Sequence, residues 1–370
     1  MSQNENDILS LPFDLYTRNK LINNLVDILR AGGGFEILDV GGRNGDLIKF
    51  LHKRNKLYII DIRRSEQQEK NYIVGNIKKA PFEDDSFDVV ISSDLYEHIN
   101  PSDRIISLSE MLRISKNYII LGGPFYSEEN EEAENRANNF FLEITERQHP
   151  WLEEHIKTNL PKKDELERYL IEEGYDFFVV TTNNILNWYL LQCFIFYSYK
   201  YAPPADKIKA VYRFYNENFI ELGDLIEPTY RRIYIIGKKG SLPINKLQAM
   251  INFSTRFDII KYQKLVSLLF DCLRAIPESK DTHIKNLEYQ ISKIGFKMES
   301  LDQAVSERDE RITAIGEELQ KEKERAEALA TTISNRDGKI AAIKEELRRE
   351  RERAEDLAIK ISEQNERVQG

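Results

Sequence analysis

Two cysteines in 370 residues, Cys193 and Cys272, cannot build a disulfide framework, so a reducing compartment is expected. An excess of positive charge is also missing. Lys and Arg number 53 against 62 Asp and Glu, a net charge of −9, which argues against a dedicated DNA or RNA binder. No stretch approaches the ~20 apolar residues of a membrane span. The nearest, Ile185–Tyr201, is interrupted by Asn187, Gln192 and Lys200. The opening MSQNENDILS has no basic-then-apolar signal pattern. These absences predict a cytoplasmic protein, at most peripheral to the inner face of a membrane, with no nucleic-acid partner. No Asp, Asn or His grouping has metal-ligand spacing, so no metal is expected. Histidine is scarce, with five in the chain, and candidates for a base working near neutral pH are correspondingly few.

Against that background one stretch stands out. Phe35–Gly45, FEILDVGGRNG, is an apolar run carrying an acid at Asp39, then Gly41, Gly42 and Gly45, then a helical pattern over Asp46–Lys53. A strand, a glycine turn and a helix open a nucleotide-binding α/β unit. Glycines let backbone approach a ligand, and a helix N-terminus offers free N–H groups. Residues 13–30 predict a helix ahead of it. LYIIDI (57–62) predicts a second buried strand ending near Asp61, an acid placed to accept hydrogen bonds from a ribose diol. Strands follow over Asn71–Val74, Phe87–Ser92 and Tyr118–Gly122, with a helix over Ser102–Ile114. That alternation predicts a Rossmann-like, doubly wound α/β sheet of mainly parallel strands.

These residues resemble the class I S-adenosylmethionine-dependent methyltransferases, in their small-molecule branch. ILDVGGRNG (37–45) is similar to the glycine-rich first motif, Asp61 to the ribose-binding acid, and GNIKKAPFEDDSFDVVISSDLYEHI (75–99) to the adenine-side loop, fourth strand and Glu-His pair. SLSEMLRISKNYIILGGPF (107–125) is similar to the following helix and fifth strand. The resemblance implies a seven-stranded sheet, S-adenosylmethionine as cofactor, and contacts from Asp39, Gly41, Gly42, Gly45, Asp61, Ile62, Asn76, Ile77 and Ser93. Arg43 stands where the family usually has a middle glycine, so its side chain must point away from the cofactor or meet its carboxylate. Asn76 replaces an adenine-side acid and can still hydrogen-bond through its amide.

A polar helix is predicted over Glu128–Arg147, a sheet helix over Lys163–Glu173, a sixth strand over Tyr175–Thr182 and a seventh over Arg231–Lys239. The methyltransferase domain is placed at 1–240, with a helical insertion at about 183–228 and a connector over 241–280. The insertion is dense in aromatics (Trp188, Tyr189, Phe194, Phe196, Tyr197, Tyr199, Tyr201), which read either as lid core or as stacking faces for a saccharide. Three histidines are candidate bases. His98 follows the fourth strand, and the resemblance favours a structural or cofactor-side role for it. His149 and His155 flank Trp151 in the insertion, where either could cap or pack a helix, and one or the other is the favoured base.

From Ile284 the character changes. Apolar residues keep one seven-residue frame to the end of the chain, with polar d positions at Arg308, Glu322, Arg336, Glu350 and Gln364. IGEELQKEKERAEALATTIS is followed by the similar IKEELRRERERAEDLAIKIS. A sustained seven-residue period predicts a coiled coil over 281–370 that self-associates as dimer or trimer, with room for a protein partner along it. Methyltransferases with such tails resemble bacterial enzymes of surface-polysaccharide biosynthesis. The expected activity is therefore O-methylation of a small-molecule or glycan acceptor. The alternatives are a degenerate scaffold working through its coil, and a lipid or quinone methyltransferase.

Overall fold

The computed structural model describes residues 8–276 apart from 31, 43–44, 65–70, 220–223 and 252–257, together with 291–292 and scattered residues between 308 and 355. The chain divides into two units, Met1–Lys293 and Ile294–Gly370.

The first unit is built on a seven-stranded sheet. Its strands are β1 (Glu36–Val40), β2 (Lys56–Asp61), β3 (Tyr72–Val74), β4 (Phe87–Ser93), β5 (Ser115–Pro124), β6 (Tyr175–Asn184) and β7 (Thr229–Lys238). They lie in the order β3-β2-β1-β4-β5-β7-β6. The first five pair in parallel, and β7 runs antiparallel between β5 and β6. The strands read as continuous apolar runs because both faces of the sheet are covered. Successive residues go to opposite sides: Leu38, Ile60, Val90 and Ile119 to one core, Ile37, Ile59, Val89 and Ile120 to the other. The first core is closed by α2 (Pro101–Ile114) and α5 (Lys163–Glu172) through Leu108, Met111, Leu166 and Leu170. The second is closed by α1 (Phe13–Leu29) through Ile22, Leu25 and Val26 and by α8 (Ile244–Ile251) through Leu247. The expected Rossmann-like sheet is present.

The differences are local. After β1 the helix is one 3-10 turn, Asp46–Lys49, entered from Gly45 in the left-handed region at φ 63°. It does not extend to Lys53. Between β5 and α5 lie α3 (Glu128–Thr145) and α4 (Pro150–Thr158). β6 runs two residues further than expected, and Asn184 then caps α6 (Ile185–Tyr201) by accepting from the backbone N–H groups of Leu186 and Asn187 at 3.1 and 3.4 Å. α7 (Ala205–Asn218) follows, and α9 (Ile259–Arg274) packs against it through Phe219–Tyr262 ring contact at 4.7 Å. Among the described residues no helix is long and apolar enough to cross a membrane. In the second unit the described residues are helical and exposed. Most of the predicted seven-residue frame lies outside the described residues.

One buried cation ties these parts together. Arg231 on β7 has 2% of its side chain exposed. It donates to Asp94 through Nε (3.0 Å) and Nη2 (2.7 Å), and to Asp14 of α1 (2.9 Å) and Asn183 of β6 (2.6 Å) through Nη1. Arg18 of α1 also donates to Asp94. Burial pushes the Asp94 carboxyl up, but Arg231 and then Arg18 outweigh it and hold the group at about 2. An Arg231→Met chain is expected to lose about 3–5 kcal/mol in urea unfolding at neutral pH, because Asp94 keeps its burial and loses its main partner. Asp94 is depressed in the folded state, so its contribution is present above an ordinary carboxylate value and lost as pH falls toward about 2. The gap between the two chains should therefore narrow on acidification below about 4. A gap that is constant over that range would rule out Asp94 as the partner that matters.

Candidate active site

The parallel strands end on one edge, so the carboxyl ends of β2, β1 and β4 lie side by side. Ligands of open α/β sheets bind at that edge. Asp39 sits level with Ile59 of β2 and Ile91 of β4, one residue before β1 ends. The chain then turns. Gly41 has φ 82° and donates to the Ile60 carbonyl at 2.9 Å, and Gly45 donates to the Gly42 carbonyl at 2.8 Å. A Cβ on Gly42 would fall 1.9 Å from Asp39 Oδ2, so only glycine lets this loop fold down onto the carboxylate. Arg43 lies outside the described residues, and so does the question of where its side chain points.

The other expected cofactor residues occupy the same edge. Asp61 ends β2, and its Oδ1 accepts the Arg63 N–H at 2.8 Å. Ile62 beside it is exposed. Asn76 follows β3 and spends its Oδ1 on the Lys78 N–H at 3.0 Å, capping a 3-10 turn, while Ile77 is buried in the core. Ser93 ends β4, and its Oγ is buried without a hydrogen-bond partner. Asp39 is 7% exposed. Burial pushes its carboxyl up to about 7, Arg18 pulls against that, and Asp61 adds to it. Asp39 and Asp61 lie near the ends of the neighbouring strands β1 and β2, and S-adenosylmethionine carries an ammonium and a ribose diol from which carboxylate oxygens can accept. The glycine cradle and these acceptors fit that cofactor.

The 3-10 turn Tyr96–His98 follows β4, and α4 and α3 lie beyond it. Gly41 packs on Leu95, with a Cβ there 3.2 Å from both Leu95 methyls, so the cofactor loop and this turn abut. Arg104 staples α4 to the turn. It donates to the carbonyls of Ile99 (3.1 Å), Glu97 (3.3 Å) and Thr158 (3.3 Å), while Thr158 Oγ1 donates to the Glu97 carbonyl at 2.9 Å. His155 is thereby set against His98, with ring centroids 4.8 Å apart. His155 is 6% exposed. Its Nδ1 lies 2.9 Å from Glu134 Oε1, an oxygen that also accepts the Tyr230 hydroxyl at 2.6 Å, and its Nε2 has no partner. His98 Nδ1 lies 3.1 Å from Glu154 Oε2, and burial, then His155, lowers its proton affinity. Glu97 is 1% exposed with Oε2 unpartnered, and burial followed by Asp94 raises its carboxyl well above the usual range.

His149 is separate from this cluster. It precedes α4, and its ring packs on Phe196 (4.6 Å), Phe141 (4.9 Å) and Trp151 (5.4 Å). Burial, then His155, pushes it down to about 4. The aromatic helix α6 turns most of its rings inward. Trp188 stacks on Tyr230 at 3.9 Å, and Phe194, Phe196, Tyr197 and Tyr201 are buried, so these serve as core rather than as stacking faces. Tyr189 is half-buried, and Tyr199 is 66% exposed. The sequence reading had no signal for Glu134, Arg104, Asp94 or Arg231. Each acts on a partner at least 50 residues away or from another element, and no local pattern marks such a pairing.

Residues 38–119, from β1 into β5, match the family described as methyltransferase domain. No curated protein matches the chain. Among solved structures, the chain is similar to a SAM-dependent methyltransferase from Archaeoglobus fulgidus, at 15% identity over 60% of this chain and 93% of that one, with TM-score 0.37. It is also similar to magnesium protoporphyrin IX methyltransferase from Synechocystis PCC 6803 with bound S-adenosylhomocysteine, at 12% identity, 60% and 84% coverage and TM-score 0.36. At such identities and scores these likenesses say nothing of substrate. The family match falls on the sheet and glycine cradle described above, and the chain is a methyltransferase that uses S-adenosylmethionine.

Two substitutions test the cradle. Gly42→Ala should abolish binding of S-adenosylhomocysteine in calorimetry while circular dichroism stays unchanged. Asp61→Ala should weaken it about 10- to 100-fold, the worth of hydrogen bonds to a charged acceptor. Unchanged affinity in both chains would place the cofactor elsewhere.

Proposed function

We propose that the enzyme transfers its methyl group to a hydroxyl of a saccharide or glycan acceptor, in the assembly of a bacterial surface polysaccharide. The observation that carries this reading is an exposed aromatic surface leading to a histidine. Trp151 is 67% exposed beside His149, and Tyr199 lies beyond Phe141 at 6.3 Å, its hydroxyl accepting from Arg147 at 3.1 Å. Flat amphipathic rings with polar tips suit the mixed apolar and hydroxylated faces of sugars. When bound, S-adenosylmethionine supplies a methyl group on a positively charged sulfur, activated for displacement by the acceptor oxygen. The protein's part is placement and the fate of one proton. Asp39 and Asp61 hold the cofactor side. Of the two expected bases, His155 is the better placed, because Glu134 fixes its Nδ1 and leaves Nε2 free for the hydroxyl proton. His149, held low by burial, is a positioning residue among the rings.

The test is a methyl-donor assay against sugar nucleotides and lipid-linked oligosaccharides, with product mass read out. A gain of one methyl on a glycan hydroxyl is expected. Trp151→Ala should then raise KM about 3- to 10-fold with kcat little changed. Methylation of a lipid or quinone alone, or none with cofactor bound, would refute the glycan reading.

Self-association through residues 281–370 belongs to the same proposal. Ile315, Leu329, Ile343 and Leu347 are exposed on described helical residues, while Arg348 pairs with Glu345 and Glu352 on the same helix. A second copy of the tail would cover the apolar positions. Sedimentation should give the full chain the mass of a dimer or trimer, and a chain ending near residue 284 a smaller mass. Equal stoichiometry for both would make the tail a solitary charged helix.

A further inference from the structure

We propose that Glu97, His98 and His155 bind one divalent transition-metal ion at the mouth of the methyl-transfer site. The sequence predicts no metal, because Glu97-His98 and His155 are nearly sixty residues apart and no local spacing links them. The fold joins them. One donor atom from each lies within 4.8 Å of the other two, and among the described residues this is the one such grouping. Donors that share an ion at about 2.1 Å stand about 3–4 Å apart, so side-chain movement of about 1 Å closes the set. The donors are ready for it. Glu97 Oε2 and His155 Nε2 are buried with no hydrogen-bond partner, and buried polar atoms of this kind are rare unless something else meets them. A Cβ on Gly123 would fall 2.8 Å from Glu97 Oε2, so β5 leaves the carboxylate the space it occupies.

The surroundings match what a metal-bound histidine needs. Its second ring nitrogen must be held by a carboxylate or carbonyl, and Glu134 holds His155 Nδ1 at 2.9 Å. Glu134 is itself fixed by the Tyr230 hydroxyl, and Tyr230 by its stack on Trp188. Glu154 lies against His98. Two imidazoles and one carboxylate, with further positions open, favour Mn2+, Fe2+ or Zn2+ over Mg2+ or Ca2+. For its role in the reaction, though not for binding, the inference rests on the methyltransferase reading. There it keeps the methyl transfer proposed above and replaces the role given there to His155. With Nε2 on the ion, His155 no longer takes the proton. The acceptor hydroxyl would coordinate the ion and lose its proton to Glu154 and on to solvent; the electron pair left on oxygen would then form the new C–O bond as the C–S bond breaks, its electrons leaving with the sulfur of S-adenosylhomocysteine.

The test uses the full chain, stripped with a chelator and checked for fold by circular dichroism. Mn2+ is followed by loss of its free-ion electron paramagnetic resonance signal, and Zn2+ by calorimetry. One ion per chain is expected, with an affinity in the micromolar range. Glu134→Gln, which touches no donor atom, should weaken it about 10- to 100-fold, and the double substitution Glu97→Gln with His155→Gln should abolish it. A folded chain that leaves both ions free at about millimolar concentration, or variants that bind as well as the parent, would overturn the site. S-adenosylhomocysteine calorimetry on the same sample separates the two ideas. Cofactor binding without metal binding removes only the ion, and metal binding without cofactor binding removes only the methyltransferase role.

Discussion

Arg231 carries a full positive charge into the interior, and the domain is arranged so that the charge is met. Its guanidinium reaches Asp94 after β4, Asp14 on α1 and Asn183 near the end of β6, so one side chain fixes three elements to β7. A buried cation tolerates little freedom in its partners, because any of them moving away leaves an unsolvated charge. Asp94 and Asn183 both sit in the left-handed backbone region, at φ 53° and 61°. Asp and Asn accept that conformation more readily than most residues, and here it lets both side chains turn inward to the arginine.

The candidate site is an outgrowth of that constraint. Asp94 is three residues ahead of Glu97, and Arg18, its second partner, also acts on Asp39 in the cofactor cradle. Clamping Asp94 therefore places the Tyr96–His98 turn on one side and orients charge at the cradle on the other. Arg104 repeats the device at α4. Its hydrogen bonds to carbonyls of the turn and of Thr158 keep α4 over the turn, which is what brings His155 to His98. The aromatic helix α6 contributes by packing. Trp188 on Tyr230 holds the hydroxyl that holds Glu134, which in turn holds His155.

Much of the sheet was legible because its signals are local. β1 through β5 announce themselves as apolar runs separated by glycine, acid and helix-period segments, and Asp39, Gly41, Gly42 and Asp61 fall at strand ends by counting along the chain. What stayed open or came out differently is also local in cause. The turn after Gly45 stops at Lys49 although the apolar spacing continues to Leu51. The aromatics of α6 look alike in sequence, but helix geometry turns Phe194, Phe196 and Tyr197 inward and Tyr199 outward.

The sequence by itself determined the α/β architecture, the glycine turn and the acids that suit S-adenosylmethionine, since each depends on residues close together along the chain. Only the tertiary structure decided that β7 would carry a buried arginine to Asp94 after β4, that Glu134 would orient His155, and that Glu97, His98 and His155 would come together. Those outcomes depend on distances between elements far apart in sequence, which packing sets and residue order does not record.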